Sequence, residues 1–235
     1  MNNAPIKTQE LFKAIVSKAG LKQEIYSTTL AAFNEFKQET IRLCEEYHKK
    51  IKQTKWQIPF EYKDRGTFEF ELKFGSDILI FFMHTNVFEF SRDHEVMKAS
   101  YIKDDKRRSY CGIIHIFNFL ADSFKYNRTN DIGYLIGRIF INRESHYFIE
   151  GKREIGLLYN NFPTAILNPR AITSILKSSI LYTLNFDLLT PPYDNMKEVT
   201  LQEMLSTIDN LQIKTGKRLG FKFQADRLMG EEGER

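Results

Sequence analysis

The chain has 235 residues, and its 34 Lys and Arg against 30 Asp and Glu leave a formal charge of +4, too small to imply a polyanion partner unless the basic groups share one face. Hydrophobic residues make up 42% and charged residues 27%, a globular mixture that excludes a largely disordered chain. The two cysteines, Cys44 and Cys111, exclude a disulfide framework and a Cys-x-x-Cys spacing, so a reducing, cytoplasmic setting is expected.

The first residues contain no apolar signal-like run, and Ile78 to Met83, the longest apolar stretch, is far shorter than the ~20 residues that cross a bilayer. A chain neither secreted nor membrane-spanning is expected. From Thr8 to Ala19, Leu11, Phe12, Ile15 and Val16 recur at helical spacing, and Gly20 is a plausible stop. A second pattern from about Leu21 to Gln53 holds Leu30, Phe33, Phe36, Thr40, Leu43, Cys44, Tyr47 and Ile51 on one stripe. Such a helix would be roughly 45 Å long, so its far end must project, bend or pack on a partner. Lys49, Lys50, Lys52 and Lys55 at its end complement the helix dipole, which explains them without an anion-binding role.

After Pro59 the period becomes two. Phe68, Phe70, Leu72 and Phe74 are expected buried, with Glu69, Glu71 and Lys73 on a wet face. Gly75-Ser76-Asp77 turns the chain into an apolar central strand, Ile78–Met83, followed by Val87–Phe90 as its continuation or partner and by a short helix or loop over Ser91–Lys98. Tyr110–Leu120 is apolar on both faces and reads as an interior strand with Ile113 to Phe119 buried on both sides. Tyr134–Ile141 follows, then a hairpin of His146–Glu150 and Ile155–Tyr159 around Gly151-Lys152. Short connections make six or seven strands an antiparallel meander.

Asn168-Pro169 opens a helix with Ile172, Ile175, Leu176, Ile180 and Leu184 facing inward, and Pro191-Pro192 breaks it. Thr200-x-x-Glu203 is a capping-box pattern for a last helix, with Leu201, Met204, Leu205, Ile208 and Leu211 on one side. Phe221-Lys222-Phe223, beside Gly216 and Gly220, suggests an edge strand, before an acidic end. The expected architecture is one α+β domain over 1–235: a helical arm (1–55), an antiparallel sheet (56–162), closing helices (163–213) and a basic, then acidic tail (214–235).

Nucleotide-binding, nucleophile-elbow and zinc-protease motifs are missing from the sequence. Gly133 and Gly137 lie within a strand pattern and suggest a bulge or close contact rather than a phosphate cradle. The five histidines (His48, His84, His94, His115 and His146) have no metal-pair spacing, and His115, in an apolar strand, is expected to be a hydrogen-bonded core residue. No cofactor and no metal site are expected.

Two constellations could carry function. Asp131 followed by Glu150-x-Lys152 has the elements of a metal-dependent nuclease, in which two carboxylates hold a divalent ion and a lysine steadies the attacking water. Lys103, Lys106, Arg107 and Arg108, in a loop between strands, with Arg138 and Arg143 on a later strand, form a basic and aromatic surface of the kind that holds a ligand or single-stranded nucleic acid. The leading expectation is a non-enzymatic binding or regulatory module that self-associates through the long N-terminal helix and binds a ligand or partner through its aromatic sheet and basic loops.

Overall fold

The computed structural model describes residues 7–51, 55–151, 155 and 161–186, with shorter pieces between 188 and 217. The two N-terminal helical patterns form one helix, α1 (Thr8–Ile51), of 44 residues and so roughly 66 Å long. Gly20 does not stop it. A glycine costs a helix only about 1 kcal/mol, and good helix formers flank it on both sides. Burial begins at Leu21, and continues through Ile25, Thr29, Phe33, Phe36, Thr40 and Cys44 at three- and four-residue steps. Residues 8–20 stay exposed along their whole length.

The sheet is an antiparallel meander of seven strands: β1 (Phe60–Asp64), β2 (Glu69–Phe74), β3 (Asp77–Met83), β4 (Phe88–Glu89), β5 (Tyr110–Leu120), β6 (Tyr134–Asn142) and β7 (Tyr147–Gly151). Its order is β1-β2-β3-β5-β6-β7, with the short β4 pairing the start of β5. Helix α1 and a second long helix, α4 (Pro169–Leu184), cover one face. The side chains beneath them are Phe70, Leu72, Leu79, Phe81, Ile114, Ile116, Ile139 and Ile149, all nearly or wholly buried. Helix α4 starts as its sequence dictates, with the Asn168 side chain accepting from the Ala171 N–H at 2.9 Å and proline in the first turn. Ile172, Ile175, Leu176 and Ile180 are buried, whereas Leu184 at the end of the helix is exposed.

Among the described residues, the opposite face is only half covered. Residues 95–109, folded as two short 3₁₀ turns and the helix α2 (Ser100–Asp104), lay Ile102 over Ile113, Phe140 and Phe148, joined by Phe162. The expected loop between strands is thus largely helical. Beyond that cover the face carries Phe82, His115, Phe117 and Phe119, which are not fully buried. The expectation that Ile113 to Phe119 is buried on both faces therefore holds on the helix-covered face for Ile114, Ile116 and Asn118, holds on the other face for Ile113, and fails there for His115, Phe117 and Phe119.

Three further expectations change. Glu71 is buried rather than wet, because Arg65 in the β1–β2 turn folds over that face and donates to it at 2.7 Å. The hairpin after β7 is replaced at Ile155, which is helical; 156–160 lie outside the described residues. Gly216–Lys217 pairs with Leu188–Leu189 in a separate two-stranded ribbon, while Phe221 and Phe223, Pro191-Pro192 and Glu203 lie outside the described residues. Leu201 and Met204 are exposed. Among the described residues, no helix is long and apolar enough to cross a membrane.

Candidate functional site

The basic loop is drawn together, but its arginines are engaged with one another's counterions. Asp105 accepts from Arg107 at 2.9 Å and from Arg143 at 3.0 Å, while Glu144 accepts from Arg108 at 3.1 Å and from the Tyr101 hydroxyl at 2.8 Å. The Arg108 guanidinium also lies 4.3 Å over the Tyr101 ring. Arg107 and then Arg143 hold the Asp105 carboxyl down to about 2. Burial opposes the ionisation of Glu144, but hydrogen bonds from Tyr101 and Arg108 outweigh it and keep its pKa below the ordinary value. This network clamps the 95–109 cover onto the sheet. Lys103 and Lys106 remain exposed at its edge.

The acidic pair is divided between two sets of partners. Asp131 accepts from Ser123 at 2.6 Å and pairs with Arg128 at 2.9 Å in the loop leading to β6. Glu150 stands opposite Arg138 across the β6–β7 ladder and is ion-paired with it. Arg138 lies four residues, roughly 13 Å, along β6 from Tyr134 at the strand's start. Lys152 is outside the described residues. Among the described residues, no group of three or more His, Cys, Asp or Glu could hold a metal ion.

The open half of the second face has a definite layout. Phe82, His115, Arg138 and Glu150 form one row across β3, β5, β6 and β7. The His115 ring stacks on Phe82 at 6.2 Å and on Phe117 at 5.7 Å, and His84 meets Phe82 edge-on at 6.3 Å. Phe82 is 36% exposed and Leu135, opposite Phe117, 40%, although Phe81, one residue away, is wholly buried. Phe119 ends the track. Its ring lies against Gly133, where any Cβ would sit 2.1 Å from it. Glycine there is thus a close-contact residue, and the Gly133–Gly137 region does carry a register shift, opposite Ile116 and Phe117.

No protein-family model matches the chain, and no curated protein or solved structure is detectably similar to it. Function rests on the chemistry of these surfaces.

His115 is not the satisfied core residue expected from its strand. Its Nδ1 is buried with no hydrogen-bond partner among the described residues, and burial, followed by repulsion from Arg138 and His84, lowers its pKa below the ordinary 6.5. A depressed folded-state pKa means that stability is fully present above the ordinary value and declines as pH falls below it. We therefore expect urea midpoints to drop between about pH 7 and 5, with His115→Phe removing the part of that slope due to this residue. An unchanged slope in the variant would remove His115 from the titration.

Sequence alternation could not find this surface. Period-two patterning shows that β5 has apolar residues on both faces, but not that the cover of 95–109 stops halfway along it. The Arg138–Glu150 and Arg108–Glu144 pairs likewise depend on register and on a contact 36 residues apart in sequence.

Proposed function

We propose that the protein is a non-enzymatic binding module that pairs with a second copy of itself through the first third of α1 and offers the open half of the sheet to a ligand. The exposed stripe at the start of α1 carries the reading. Leu11, Phe12, Ile15 and Val16 are 48%, 59%, 53% and 73% exposed on successive turns of one helix face. Burying them against the same stripe of a second chain, antiparallel and two-fold related, opposes the two helix dipoles and satisfies both faces at once.

The stripe is small. Four such side chains offer on the order of 400 Å² of apolar surface per chain, below the ~800 Å² per partner of a stable interface. The expected dimer is therefore weak and concentration-dependent. Light scattering should show a monomer at low micromolar concentration and growing dimer toward several hundred micromolar. Ile15→Glu combined with Val16→Glu should hold the chain monomeric without lowering its melting temperature, because both side chains already face water. A wild-type monomer throughout that range would sink the proposal. Mg²⁺-dependent nucleic-acid cleavage that is lost in Glu150→Ala would replace it with an enzymatic one.

A further inference from the structure

Where β5 ends, the helix α3 (Ala121–Lys125) and the loop after it close a cavity of about 310 Å³ against Phe119. That volume lies at the lower end of the range for ligand pockets. Its apolar side is a right-angled corner, with the rings of Phe119 and Phe124 5.6 Å apart and inclined at 80°. Both rings are held in place. Phe119 is seated on Gly133, and the Arg65 guanidinium lies 4.7 Å over Phe124. A flat ring stacked on one wall would meet the edge of the other, the arrangement aromatic groups prefer.

The polar side is built around Asp131. Ser123 donates to its Oδ2 at 2.6 Å, and Arg128, buried at 8% exposure, approaches the same oxygen at 2.9 Å. Both contacts fall on Oδ2. Oδ1 accepts no hydrogen bond from any described residue, and the adjacent guanidinium offsets the charge of the carboxylate. The site thus asks for a planar body with an N–H donor at its edge rather than for a free cation.

The cavity shares Phe119 with a row of rings along β5. Phe119, Phe117 and His115 alternate along one face of β5, about 6.6 Å per step, and Phe82 lies beside His115. Rings at such intervals are what stack successive bases of a single strand; Arg138, in the same row, is ion-paired with Glu150.

We infer that this cavity binds an amino-bearing nucleobase, its ring in the Phe119–Phe124 corner and its amino group donating to Oδ1 of Asp131, with the adjoining single strand lying over Phe117, His115 and Phe82. The inference deepens the ligand half of the reading above and does not depend on self-association.

The full chain is titrated by NMR with adenosine and with purine riboside, which lacks only the amino group, and by fluorescence anisotropy with a labelled adenine octanucleotide. Adenosine should bind at least about tenfold tighter than purine riboside, since the hydrogen bond to a charged acceptor would be lost. The octanucleotide should bind about tenfold or more tighter than the nucleoside; equal affinity would overturn the strand path and leave a free nucleoside as the ligand. Asp131→Ala should abolish the preference for adenosine. Because that change also removes the ion pair between Asp131 and Arg128, Phe117→Ala serves as a second variant, expected to leave adenosine binding unchanged and to weaken the octanucleotide about tenfold. Shifts by neither nucleoside, or equal affinity for both, would overturn the pocket assignment. An octanucleotide affinity that exceeds that of adenosine yet is untouched by Phe117→Ala would overturn the strand path. A monomeric chain that passes these tests would refute the self-association alone.

Discussion

Replacing Phe81 by alanine is expected to cost about 3 to 5 kcal/mol, a large share of the ~5 to 15 kcal/mol that stabilises a typical domain. Phe81 is wholly buried, stacks on Phe70 at 4.6 Å with the rings 4° from parallel, and meets Phe36 of α1 at 5.9 Å. It joins two neighbouring strands and the helix, so little around it can collapse into the vacated space. Phe82→Ala is the matched control. It removes the same ring one position along, on the open face, and is expected to cost only about 1 kcal/mol because its side chain is already partly in water. Urea midpoints with unchanged m-values would measure both. Similar costs for the two would mean that Phe82 is covered, and the open face would cease to exist.

Gly112→Ala is expected to destabilise by about 2 to 3 kcal/mol through overpacking rather than loss of contact. A Cβ at this position would lie 2.1 Å from Oγ1 of the buried Thr29 in α1, and 2.8 Å from the Thr29 Cβ and Cγ2. The helix and the sheet must separate to admit it. Thr29→Ala should recover part of the loss in the double variant, because it removes Oγ1 and Cγ2 but leaves the Cβ in place. Its own cost should be small, since the hydroxyl only back-bonds to the Ile25 carbonyl at 2.8 Å. A double-mutant cycle that shows no coupling would place the helix farther from β5 than the structure has it.

Much of this architecture was legible in the chain because its local signals agree. The alternation through Phe70, Leu72 and Phe74 fixes which face of β2 is buried, and Asn168-Pro169 fixes where α4 begins. Local signals misled where tertiary contact decides. Gly20 looks like a stop, but its cost is small beside the packing that holds the rest of α1 against the sheet. Glu71 alternates as a solvent-facing residue should, and only the fold of the preceding turn brings Arg65 over it.

The sites were less legible than the fold. In the sequence Asp131 reads as half of a metal pair, yet its partners in the structure are Ser123 and Arg128, eight and three residues away, and Glu150 is ion-paired with Arg138 instead. The arginines of the basic surface could be counted in the sequence, but their pairing with Asp105 and Glu144 could not, because it depends on how 95–109 folds back onto β6. Leu11, Phe12, Ile15 and Val16 were visible as a helix face. Whether the chain's own sheet would cover them is decided by where the sheet ends along α1, and it ends near Leu21.

Amide deuterium exchange along α1, compared between dilute and concentrated protein, tests the self-association most directly. Residues 8–20 are all exposed and Lys18 touches the sheet at Tyr110 from the solvent side, so in the monomer the amides of Leu11 to Val16 should exchange quickly through fraying, while those from Phe33 to Cys44 are protected by the core. Pairing of two stripes predicts that protection of Leu11 to Val16 rises with protein concentration while that of Phe33 to Cys44 does not change. Exchange at Leu11 to Val16 that is equally fast at both concentrations would contradict it.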